Sequence, residues 1–165
     1  MNPKIDRLNK SFKYILFFYI PIFLLVFIYF ILLRPYNINL LLVFSIIIFG
    51  NLFIGLFTQI ANYVAEKYSV TEKSRDFLYL NFTDCFFRSL AGLSEVIFYT
   101  ISFAVGLETL VAGYLLLKTV SIWQDKDNYN NKKEGLHTAI LRTAIVMSLL
   151  ISFAASFYLK KFINT

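Results

Sequence analysis

Residues 89–117 read SLAGLSEVIFYTISFAVGLETLVAGYLLL. The run carries two charged residues, Glu95 and Glu108, and is otherwise apolar, aromatic or small. A helix needs about 20 mainly apolar residues to cross a bilayer, so this stretch is long enough to serve as one span. Three further stretches have the same character. Residues 14–33 and 39–63 hold no charge, and 137–159 holds only Arg142. Together they predict an all-α integral membrane four-helix bundle, a single membrane domain over 1–165.

The composition agrees. Of the 165 residues, 58% are hydrophobic, far more than a soluble domain of this size can bury. The 19 Phe and 11 Tyr suit lipid-facing surface and interfacial belts. The net charge of +6 comes from basic residues near span ends, where they anchor helices and set topology. The expected partner is therefore the lipid bilayer and not nucleic acid. The single cysteine, Cys85, excludes an intramolecular disulfide and reads as a small buried filler. The first apolar run exceeds a signal-peptide core of about 7–15 residues, so it is expected to remain as the first span.

Counting Lys and Arg outside the four spans gives ten on the side of the N-terminus, the second connection and the C-terminal tail, and five on the other. The positive-inside bias then places both termini in the cytoplasm, in a membrane of prokaryotic cytoplasmic type. Arg34-Pro-Tyr-Asn-Ile-Asn39 reads as a tight turn. In the second connection, Ser69-Val-Thr-Glu72 fits a capping box, and an interfacial helix over about 70–87 is expected to follow. The third connection, 123–135, is polar and reads as a mobile loop.

Familiar chemical motifs fail on inspection. Asp125 and Asp127 start a calcium-loop pattern, but no glycine stands at the sixth position and Leu136 replaces the bidentate glutamate. His137 is the only histidine and makes no zinc site alone. Asn81-Phe-Thr83 is a glycosylation sequon on the expected cytoplasmic side. There is no Gly-rich phosphate loop and no nucleophile elbow. No catalytic residue, metal or cofactor is expected.

The polar groups inside the spans are more specific, because an ionisable side chain at membrane depth costs about 2.5–3.5 kcal/mol on insertion scales and needs a partner. Ala91, Glu95, Ser102, Gly106, Thr109 and Gly113 share a helix face. Asn51, Gly55, Thr58 and Asn62 share a face of the second span. The two stripes are expected to pack together, enclosing a polar site of Glu95, Asn51, Thr58 and Asn62. Glu108 points elsewhere, and Arg142, the only basic residue within a span, is its expected ion-pair partner. Ser102, Gly106, Gly113, Ser148 and Ser152 read as helix-packing residues. The small face of the last span (Ala144, Ser148, Ser152, Ala155) is then left for the first span or for another chain. A competing arrangement packs it directly against the stripe bearing Gly106, which would aim Glu108 and Arg142 at opposite sides.

The leading expectation is a non-enzymatic subunit or assembly factor that joins itself or a larger membrane protein. The alternative is a small transporter or channel handling protons or cations through Glu95. An intramembrane enzyme acting on lipid comes third, because Glu95 and Glu108, thirteen residues apart on one helix, would be separated by about 20 Å.

Overall fold

The computed structural model describes residues 3–33, 38–67, 82–127 and 132–164, and these residues contain no strand. They form α1 (Pro3–Leu33), α2 (Ile38–Lys67), α3 (Phe82–Val105), α4 (Glu108–Asp127) and α5 (Lys132–Ile163). Long helices follow from long apolar runs, because in hydrocarbon every backbone polar group needs an internal partner. Among the described residues three stretches are long and apolar enough to cross a membrane: Ile5–Phe30 in α1, Ile38–Val64 in α2 and Thr138–Ile163 in α5. The protein is thus all-helical, with the architecture of a membrane protein.

The expected span 89–117 is not one helix. It breaks at Gly106, which adopts φ +81°, a left-handed conformation that glycine reaches without a Cβ penalty. The Leu107 amide donates to the Ser102 carbonyl at 2.8 Å, and the Gly106 amide to the Phe103 carbonyl at 3.4 Å. This pair of bonds is a Schellman stop. Glu108 opens the next helix, where a carboxylate complements the positive end of the helix dipole. The chain therefore reverses at 106–107, and α4 returns along α3.

Paired contacts fix the directions of the other helices. Ile15 lies by Gly55, Tyr19 by Asn51 and Phe30 by Phe44, so α1 and α2 are antiparallel. Phe82 meets Tyr14 and Phe17, Phe86 meets Phe18, and Asn51 meets Gly92, so α3 runs parallel to α1. Gly50 faces Ile151, and Val43 shares a core cluster with Ala155 and Leu159, so α5 runs antiparallel to α2. The start of α1 and the end of α5 consequently lie at opposite poles of the bundle. The expectation of both termini on one side fails because the reversal at Gly106 adds a fifth pass along the axis.

Two core clusters bind the bundle. Ile15, Phe18, Tyr19, Ile48 and Cys85 form one, and Val43, Ile47, Val96 and Ala155 the other. Cys85 is fully buried, as a filler should be. The small face of α5 is not left over. Ser148, Ser152 and Ala155 are buried, and the Ser152 hydroxyl lies 3.1 Å from the Val96 carbonyl. That face seals the junction with α2 and α3, on the side of the competing arrangement and in place of the contact with α1 or another chain. The turn at 34–37, the Ser69–Glu72 box and most of the expected interfacial helix lie outside the described residues, while Phe82–Phe87 belong to α3. The expected loop 123–135 is largely helical, since α4 runs to Asp127 and α5 starts at Lys132.

Candidate functional site

The site begins with Glu95, on the side of α3 that meets the returning α4. The Lys118 ammonium lies 2.5 Å from Oε2 and 2.6 Å from Oε1 of Glu95, a two-pronged ion pair. The Tyr114 hydroxyl donates to Oε1 at 2.9 Å. Tyr114 and Lys118 are one helical turn apart, so both reach the same carboxylate. The geometry follows from the turn: Glu95 precedes Gly106 by eleven residues, and Lys118 follows it by twelve.

Aromatic rings flank the pair. Tyr114 packs against Phe98 and Tyr99, with ring centroids 5.8 Å apart in both cases. The side chains of Glu95 and Lys118 keep 21% and 28% of their surface. Ser94, Glu95, Phe98 and Tyr114 border a shallow cavity of about 280 Å³. Tyr99 is fully buried, and its hydroxyl has no hydrogen-bond partner among the described residues. Along α3, Glu95 stands roughly 10 Å from the exposed Arg88 and roughly 16 Å from the turn, so the pair lies well inside the length of the helix and away from both its ends.

Asn51 and Asn62 are buried, but they do not gather around Glu95. The Asn51 amide donates to the Tyr19 hydroxyl at 2.6 Å and more weakly to the Ser89 carbonyl at 3.5 Å. The second and third expected spans do touch, through Asn51, Ser89 and Gly92. Thr58 donates to the Gly55 carbonyl of its own helix at 2.9 Å. With Gly92 level with Asn51, Thr58 lies roughly 15 Å below Glu95 along the axis. The expected four-residue site is therefore two separate things: a hydrogen-bonded seam between α1, α2 and α3, and an ion pair between α3 and α4.

Glu108 and Arg142 do not meet. Both are exposed, and no ion pair joins them among the described residues. Ser152 is level with Val96. From that level Glu108 is more than roughly 14 Å toward one pole, and Arg142 roughly 15 Å toward the other. Of the expected packing residues, Ser102, Ser148 and Ser152 are buried. Gly106 serves as the helix stop, and Gly113 faces open space.

Sequence reasoning missed Lys118, Tyr114, Tyr19 and Gln59. Gln59 is buried, 2% exposed, although it stands roughly 80° round the helix from Asn51, further off that residue's face than Thr58. Among the described residues no three His, Cys, Asp or Glu side chains converge as a metal site would require. Chemically, the Glu95 cluster offers a neutralised charge pair with a phenol donor, well suited to holding two helices together. The chain matches no protein family, no curated protein and no solved structure.

Proposed function

We propose that this chain is a non-enzymatic membrane subunit that presents α4 to another protein, a second copy or a larger membrane complex. One observation carries the reading. Among the described residues α4 is not one of the helices apolar enough to cross a membrane alone, yet α3 is the one helix it packs against there to any extent. Leu110, Ala112, Gly113, Leu116, Thr119 and Val120 are all exposed. A helix bearing a lysine at depth gains little from lipid, whereas small and polar residues favour contact with another helix. The engagement of Glu95 by Lys118 ranks this reading above ion handling, because the carboxylate is already neutralised by a partner.

Gly113→Cys in a Cys85→Ser background tests it, since a side chain at Gly113 meets nothing within 4 Å. Oxidation or a short bifunctional crosslinker applied to native membranes is expected to give a discrete heavier species, a dimer or a larger adduct. A chain that stays monomeric under all these conditions overturns the proposal.

The same fold supports a revised orientation, with the N-terminus inside and the C-terminus outside. The pole holding the start of α1, the 67–88 connection, the 126–133 connection and Arg142 collects twelve basic residues, against Arg34, Lys160 and Lys161 at the other, with Lys118 between them. The positive-inside bias favours the richer pole as cytoplasmic. With Cys85→Ser, a cysteine replacing Lys10 is expected to react with an impermeant maleimide only in inverted vesicles. One replacing Asn164 is expected to react only in right-side-out vesicles. Labelling of both from one face would sink this orientation.

A further inference from the structure

At their lower ends α1 and α3 touch through Phe82 against Tyr14 and Phe17, and through Phe86 against Phe18. Above these rings a cavity of about 320 Å³ lies between the two helices. Ile22 and Val26 of α1, Val43 and Ile47 of α2, and Ile97 and Ile101 of α3 line it. Its surface is apolar. The one hydroxyl-bearing residue on the wall, Thr100, donates that group to the Val96 carbonyl at 2.7 Å. The α3 wall from Leu93 to Ile101 is roughly 12 Å long, most of the ~15 Å depth of one bilayer leaflet.

The cavity has an oriented end. Leu159 of α5 borders it, and the next two residues, Lys160 and Lys161, are exposed at that pole. An apolar cleft of leaflet depth, with two exposed cations at the pole toward which it runs, matches an amphiphile with a hydrocarbon tail and an anionic head. Water finds no polar partner in the cleft, and an empty apolar void beside hydrocarbon would forfeit dispersion contacts along its whole wall. We propose that this cleft binds one acyl chain of an anionic phospholipid, with the phosphate held at Lys160, the nearer lysine round the helix from Leu159, and drawn to that pole by Lys161. This site is independent of the α4 surface, so failure of either proposal leaves the other standing.

The test uses the full chain in nanodiscs of phosphatidylcholine containing either phosphatidylglycerol or further phosphatidylcholine carrying a spin label on one acyl chain. The wild-type protein is expected to immobilise about one labelled phosphatidylglycerol per chain. Lys160→Gln/Lys161→Gln changes only exposed residues. It is expected to reduce the preference for phosphatidylglycerol roughly tenfold or more, since each lysine near an anionic surface contributes about 1 kcal/mol. Ile97→Phe, which fills the cleft, is expected to abolish the immobilised component for both lipids, and far-UV circular dichroism checks that the helices persist. Three results overturn the proposal: no immobilised lipid, equal immobilisation of the two lipids, or a cleft-filling change that alters oligomer mass and leaves bound lipid unchanged.

Discussion

Lys118→Met is expected to detach α4 from α3, at a cost of about 3 kcal/mol in the stability of the folded bundle. The size follows from what remains behind. Glu95 sits between α3 and α4 with its carboxylate turned to Lys118 and Tyr114. Once the ammonium is gone, Tyr114 supplies a single hydrogen bond to a charge with little access to water. Few other contacts hold α4 in place, so the loss falls largely on the α3–α4 hairpin. Glu95→Gln/Lys118→Met is expected to recover most of the loss, because the double change removes both charges together. Spin labels on the exposed Leu90 and Thr119 give the structural readout. The distance distribution is expected to be narrow in the otherwise unchanged protein, broad and longer in Lys118→Met, and narrow again in the double variant. Denaturant titration supplies the energies. An unchanged distribution together with unchanged stability would remove the ion pair as the tie between these helices.

Under the proposed membrane reading, that tie also gives α3 and α4 a way into the bilayer although neither counts as an apolar span alone. Glu95 burdens one helix and Lys118 the other. Folded as a hairpin, each supplies the other's counter-charge, and the insertion cost of the pair is lower than that of the separate helices.

Much of this was legible in the residues. Uncharged runs of 20 or more residues announce α1 and α2, because hydropathy summed over such a length outweighs local propensity. The burial of Asn51, Asn62, Ser148 and Ser152 also follows from the pattern, since polar groups among apolar neighbours turn inward. The hairpin did not follow from hydropathy. Residues 89–117 are apolar on both sides of Gly106, and hydropathy does not distinguish one long helix from two short ones. The available signal was chemical. Glu95 needed a cation, Lys118 stood at the end of the run, and a glycine lay midway between them. Reading Lys118 as the first loop residue hid its partner and left Glu108 and Arg142 as the only visible pair. The orientation error has the same source. With the reversal at Gly106, the lysines of the last connection join the other basic segments, and the charge asymmetry sharpens.

Pairwise helix packing was harder to read, because which small residue meets which neighbour depends on rotation and depth that no single stripe fixes. Gly50 shows the point, since it belongs to no polar stripe yet marks a close approach of α2 and α5. A Cβ there would lie 2.5 Å from Cγ2 and 2.9 Å from Cδ1 of Ile151. Ile151 has little freedom to move aside. Its β-branch restricts χ1, and the next residue, Ser152, is held against the Val96 carbonyl. Gly50→Ala is therefore expected to destabilise the bundle by about 2 kcal/mol through overpacking. Ile151→Ala is expected to cost about 2 kcal/mol for the opposite reason, a void beside Gly50. In the double variant the new methyl occupies part of that void, so its cost is expected to be clearly less than the sum of the two singles. Denaturant titration of the four proteins yields the coupling directly. Strict additivity would mean that α2 and α5 do not approach each other at this glycine. A methyl tolerated without loss would carry the same message, because attraction between helices in lipid rests on such close backbone contact.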